Sequence, residues 1–100
     1  MDKYHVKIRP EVFDMLDTIY ENICYRSLDN SVAGIVITAI EDAILSLADM
    51  PQRGATVKNG LYANTDYRQL VVKNHLIIYA VREERKEVVV VFVKSVKMSI

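Results

Sequence analysis

The sequence predicts an α+β fold of two layers: an N-terminal strand, an antiparallel helical hairpin, then a three- to four-stranded antiparallel sheet. Three observations predict it. A short run at the start alternates apolar and polar residues, two adjacent stretches repeat apolar residues every three or four positions, and the second half is rich in β-branched residues. One hundred residues, about half of them apolar, make a single domain (1–100) that can build a core without metal or disulfide staples.

In the first strand Tyr4, Val6 and Ile8 alternate with His5, Lys7 and Arg9. Pro10 suits a first helical turn, where its missing N–H would be unpaired anyway, and Glu11 favours the positive end of the helix dipole. Val12, Leu16, Ile19, Tyr20, Ile23 and Cys24 then form one stripe of an amphipathic helix ending near Arg26 to Leu28. Asp29, Asn30 and Ser31 offer three N-cap side chains in a row. From Val32 to Leu47 a second helix carries a wider stripe (Val32, Ile35, Val36, Ala39, Ile40, Ala43, Ile44, Leu47), so it should touch both the first helix and the sheet. Met50-Pro51 stops it.

After the Gln52-Arg53-Gly54 turn, Thr56 to Ala63 reads as a weak strand or hairpin. Tyr67 to Val72, Leu76 to Val81 and Val88 to Val93 read as strands. Lys73-Asn74 or Asn74-His75 makes the first tight turn and Glu83 to Lys86 the second. The unbroken valines from Val88 onward point to a strand covered on both faces.

The charge balance, 13 basic against 13 acidic residues, removes the simplest argument for nucleic-acid binding. Cys24, the single cysteine, excludes an intrachain disulfide and falls where a buried, inert thiol is expected. No apolar run approaches a membrane span, and the polar start is unlike a signal peptide, so a cytoplasmic protein without membrane contact is expected. His5 and His75 have no second ligand at a fixed spacing, so neither a metal nor any other cofactor is expected.

Three segments carry a family resemblance. The opening Tyr4-His5-Val6-Lys7-Ile8-Arg9-Pro10-Glu11 runs from a strand through a proline into a helix. The stretch from Ile44 to Gly54 follows the pattern I-x-x-L-x-x-x-P-x-x-G. The stretch from Tyr67 to Tyr79 matches Y-R-x-L-x-V-x-N-Y-L-I-x-Y, with His75 where the pattern has tyrosine. In this order and spacing the chain resembles the RelE/ParE superfamily of bacterial toxins. Its long helical hairpin looks more like the ParE branch. The resemblance implies a growth-inhibiting toxin neutralised by a cognate antitoxin in a hetero-oligomer. It also implies one of two targets: DNA gyrase, inhibited by ParE-like members, or ribosome-bound mRNA, cut by RelE-like members. A relative that keeps only the fold is a third reading.

Arg68 is the leading candidate: the resemblance implies that an arginine at this point of the motif stabilises the scissile phosphate in RNase-type relatives, and an always-charged planar fork suits a phosphate whose charge grows in a transition state. Regular pairing would set it opposite Tyr67 and Leu70; the plainer role is a sheet-surface arginine with an acidic neighbour. Arg53 and Lys58, flanking the loop after the second helix, are candidates for phosphate or target contact, although loop solubility also explains them. Tyr67 and Tyr62 could stack on a base, but packing is the more ordinary role of the tyrosines, Tyr20, Tyr25 and Tyr79 included. For an RNase, Lys94 and Lys97 occupy the tail where such relatives carry histidine, tyrosine or arginine. Lysine stabilises charge but is a poor base at neutral pH, and Ala80 stands where many relatives carry arginine. Arg82, Arg85 and Lys86 cluster with Glu83, Glu84 and Glu87 around a self-compensated turn.

Overall fold

The computed structural model describes residues 3–27 and 30–96, in the order β1 (His5–Ile8), α1 (Pro10–Arg26), α2 (Asn30–Ser46), β2 (Ala55–Val57), β3 (Asn64–Val72), β4 (His75–Arg82) and β5 (Glu87–Ser95). A short 3₁₀ turn, Glu83–Arg85, links β4 to β5. Leu28, Asp29 and Lys97 lie outside the described residues, so the end of the first helix beyond Arg26, the Asp29 cap and the Lys97 site do too.

All five strands form one sheet in the order β1-β5-β4-β3-β2. The four later strands are antiparallel to their neighbours, and β1 closes the far edge parallel to β5. Lys7 on β1 reaches Glu87 on β5 at 2.7 Å, and that hydrogen bond holds the Glu87 carboxyl below its ordinary range. The β3–β4 turn is Lys73-Asn74, with φ of 50° and 63°. Two positive φ values in a two-residue loop are those of the primed turns, whose twist matches the flanking strands. Histidine 75 is therefore not at the hairpin tip: His75 opens β4 and is buried.

Both helices lie on one face of the sheet. Val12, Leu16 and Ile19 of α1 and Ile40, Ala43 and Ile44 of α2 pack on Ile77, Tyr79, Val88, Val90 and Val93. On the far face Val57, Ile78 and Val91 form a smaller core, packed by Tyr62, Tyr67 and Phe92. So β5 is covered on both faces, as its composition predicts. A bulge explains its lack of alternation. Ile78 pairs with Phe92 and Tyr79 with Val90, so Val91 is the extra residue and both Val91 and Phe92 join the far-face core.

Helix α2 departs from the sequence reading in two ways. It ends at Ser46, before Met50, because the amides of Leu47, Ala48 and Asp49 donate to carbonyls three residues back and tighten the chain ahead of Pro51. Its wide stripe is also only partly covered: Val32 and Ile35 are 42% and 60% exposed. Seventeen residues of helix make several turns, but the sheet is reached only through the side carrying Ile40 and Ile44. On α1, Tyr20 and Tyr25 are exposed rather than packed, and Cys24 is half-buried rather than buried. Among the described residues, no helix is long and apolar enough to cross a membrane.

Candidate functional site

The turn after α2 builds one corner of the molecule. Pro51 and Gly54 are buried within it. The Gly54 amide donates to the Tyr79 hydroxyl at 2.9 Å, and Arg68 Nη1 donates to the Gly54 carbonyl at 2.7 Å while lying 3.5 Å from that of Gln52. Arg53 turns the other way: its Nη1 donates to Ser46 Oγ at 2.6 Å, and that hydroxyl donates to the Ala43 carbonyl at 2.6 Å. Gln52 Nε2 donates to Glu83 Oε1 at 2.5 Å, and the Tyr4 hydroxyl donates to Oε2 of the same carboxylate. The corner thus ties α2, β3, β4 and the β4–β5 turn together.

Gly54 is there for space. A Cβ at this position would sit 2.5 Å from the Gln69 carbonyl oxygen and 2.7 Å from the Tyr79 hydroxyl oxygen. Tyr79 is fully buried, and that burial pushes its hydroxyl above the ordinary tyrosine value, only partly offset by the Gly54 amide and the Arg68 and Arg53 charges. A hydroxyl so placed holds its proton at neutral pH.

The sheet divides the residues singled out from the sequence. Arg68 pairs across the ladder with Tyr79, so it lies on the helix-facing side. Alternation puts it opposite Tyr67, as expected, but on the same face as Leu70, which packs into the helix-side core. Tyr67 is on the far face, its ring 5.2 Å from that of Tyr62 in an edge-on contact. Lys94 is exposed and borders a far-face groove with Tyr62, Leu76, Ile78 and Phe92. Lys58 is exposed just beyond β2, beside a neighbouring groove with Asn59 and Gln69. Lys94 pairs with Leu76 and Arg68 with Tyr79, three residues apart on β4. At about 3.3 Å per residue that is roughly 10 Å along the strand, and on opposite faces.

So the structure brings Arg53 and Arg68 to one corner, leaves Tyr67 and Lys94 on the other face, and sets Lys58 past the end of the edge strand β2. Sequence reasoning missed Tyr79, Gly54 and Ser46 as partners in that corner. Their signal was present, since Gly54 and Tyr79 close two of the motif segments. Among the described residues, no group of three or more histidine, cysteine, aspartate or glutamate side chains is placed to hold a metal ion.

Residues 6–100 match the family model described as the ParE toxin of the type II toxin–antitoxin system parDE. No curated protein sequence matches the chain. Among solved structures, the chromosomal ParDE toxin–antitoxin system from P. aeruginosa superposes with a TM-score of 0.75 at 16% identity, covering 95% of this chain and 98% of that one. The RelBE2 toxin–antitoxin complex from Mycobacterium tuberculosis gives 0.65 at 18% identity, covering 95% and 93%. The isolated RelE toxin from E. coli gives 0.61 at 13% identity, covering 96% and 87%. The fold is therefore that of the RelE/ParE toxins, and the chain belongs to the ParE toxin family of type II toxin–antitoxin systems.

Proposed function

We propose that this toxin acts by binding and inhibiting DNA gyrase, without chemistry of its own, and that a cognate antitoxin neutralises it. The observation that carries the reading is the separation of Arg68 from Lys94 by the sheet. Cutting RNA requires a cation at the phosphate and a group that exchanges a proton near neutral pH, both within reach of one ribose and phosphate. Here the Arg68 guanidinium donates to turn carbonyls, Lys94 lies on the opposite face, and the Tyr79 hydroxyl is buried against Gly54 with its titration pushed upward. Inhibition by binding asks only for a stable surface.

The antitoxin reading rests on the similarity to a ParDE system and on apolar surface that the chain leaves open. Ile35 and Leu45 are exposed on α2, and Leu70 to Val72 of β3 have no β2 partner on their outer side. A helix laid on the hairpin or a strand added to that edge would cover one or the other.

The test is to add the purified chain in parallel to a gyrase supercoiling reaction and to a translating ribosome system. The expected result is loss of supercoiling that rises with toxin concentration and saturates, with mRNA left intact. Cleaved mRNA with unaffected supercoiling would replace the reading with a RelE-like one. Activity in neither, with harmless expression, would leave a relative that keeps only the fold.

A further inference from the structure

Away from the Gly54 corner, a cleft of about 470 Å³ opens between the end of α1, the first turns of α2 and the β3–β4 hairpin. Its wall is aliphatic, from Ile23 of α1 and Val32 and Val36 of α2. Arg26, Lys73 and His75 also line it, and among the described residues no carboxylate does. We propose that this cleft binds a phosphate monoester carrying an apolar body, the body against the aliphatic wall and the phosphate against the three basic side chains.

His75 is the strongest element. It opens β4 on the same face as Ile77 and Tyr79 and is only 7% exposed, at the end of an interface that is otherwise apolar. Its Nδ1 lies 2.7 Å from the Lys73 carbonyl oxygen. A carbonyl only accepts, so Nδ1 carries the proton and the tautomer is set by that bond. Nε2, the nitrogen left over, donates to a phosphate oxygen when the ring is an imidazolium and accepts from the hydroxyl of a singly protonated phosphate when it is neutral. Lys73 is the second. It sits in a left-handed turn position, φ 50°, where hairpin chemistry favours asparagine or glycine, so the turn itself gives no reason for a lysine. Arg26, in the last turn of α1, adds the planar fork that binds phosphate oxygens in pairs. The volume is that of a small organic ligand and well beyond a bare phosphate ion.

The experiment is an NMR titration of the ¹⁵N-labelled full-length chain with phenyl phosphate, and separately with inorganic phosphate and with phenol. Phenyl phosphate is expected to give saturable shifts at Ile23, Asn74 and His75, and to bind about tenfold more tightly than either half alone, since each half supplies only part of the contact. In the double variant Arg26→Gln, Lys73→Asn, affinity should fall by about tenfold or more, because charge-assisted bonds are lost. Asparagine tolerates the left-handed turn, so the rest of the spectrum should be unchanged. Absence of saturable shifts with phenyl phosphate would overturn the proposal, and so would equal affinity in the double variant. Inorganic phosphate binding as tightly as phenyl phosphate, with no shift at Ile23, would overturn the assignment of an apolar body.

Discussion

Gly54→Ala is expected to destabilise the protein by about 3 kcal/mol, although it adds a single methyl group. The methyl carbon would start 2.5 Å from the Gln69 carbonyl oxygen and 2.7 Å from the Tyr79 hydroxyl oxygen, well inside van der Waals contact. The first obstacle is backbone of a strand paired on both sides, which cannot rotate away. The turn must therefore lift, stretching both the Gly54–Tyr79 and the Arg68–Gly54 hydrogen bonds. Overpacking of a tight site costs about 1–3 kcal/mol and each weakened bond adds about 1. For a domain of this length the sum lowers Tm by roughly 15 °C. Gly34→Ala is the internal control. A Cβ there meets nothing within 4 Å, and alanine in a helix interior is worth about 0.5–1 kcal/mol over glycine, so Tm should rise. Thermal denaturation of the two variants checks both signs. An unchanged Tm for Gly54→Ala would mean that the turn is not packed as described.

Tyr79→Phe should cost about 1–3 kcal/mol, all of it from one oxygen atom. The ring stays, so no cavity opens; what is lost is the acceptor for the buried Gly54 amide. Tyr79→Ala, which also empties the ring's place in the core, should cost about 3–5 kcal/mol. The pH dependence separates the hydroxyl from the ring. The folded-state titration of Tyr79 lies above its ordinary value of 10.0, mainly through burial. Above that value the unfolded chain loses a proton that the native state keeps, so the stability contributed by Tyr79 is complete below 10.0 and declines as pH rises towards the folded value. Tyr79→Phe removes this alkaline decline while Phe13→Tyr, on an exposed position, leaves it in place. Urea denaturation at pH 8 and above pH 10 measures the difference. An identical alkaline slope in wild type and Tyr79→Phe would contradict the buried placement of the hydroxyl.

Local pattern made most of the fold legible. The period of two in β1, the stripe of α1 and the β-branched runs of β3, β4 and β5 each report which side of a short segment is apolar, and the chain obeys them. What pattern does not report is which partner is present. Val32 and Ile35 belong to a stripe as apolar as any in the core, yet the single sheet face reaches only one side of α2. The Val91 bulge is invisible for a similar reason, since six consecutive apolar residues carry no alternation to break.

The candidate residues could be picked out in the sequence, but their arrangement could not. Arg68 and Arg53 stand out in sequence for their charge, and Lys94 for replacing a proton-transfer group. Whether they meet depends on cross-strand register, and that is set by turn lengths and the bulge rather than by the residues themselves. The same register joins Gly54 of one motif segment to Tyr79 of another. Gly54, Arg68 and Tyr79, three of the residues that carry the family resemblance, are in this chain engaged in holding the corner together.

That claim is tested most directly by Arg68→Gln, expressed in cells at a temperature where circular dichroism shows the variant folded. Glutamine removes the charge and can still donate to the Gly54 carbonyl, so a brace is weakened while a phosphate contact is abolished. If Arg68 serves the corner and the toxin works by binding, growth arrest persists in the folded variant. A folded Arg68→Gln protein that no longer arrests growth would show that the arginine acts on the target, and would contradict the account.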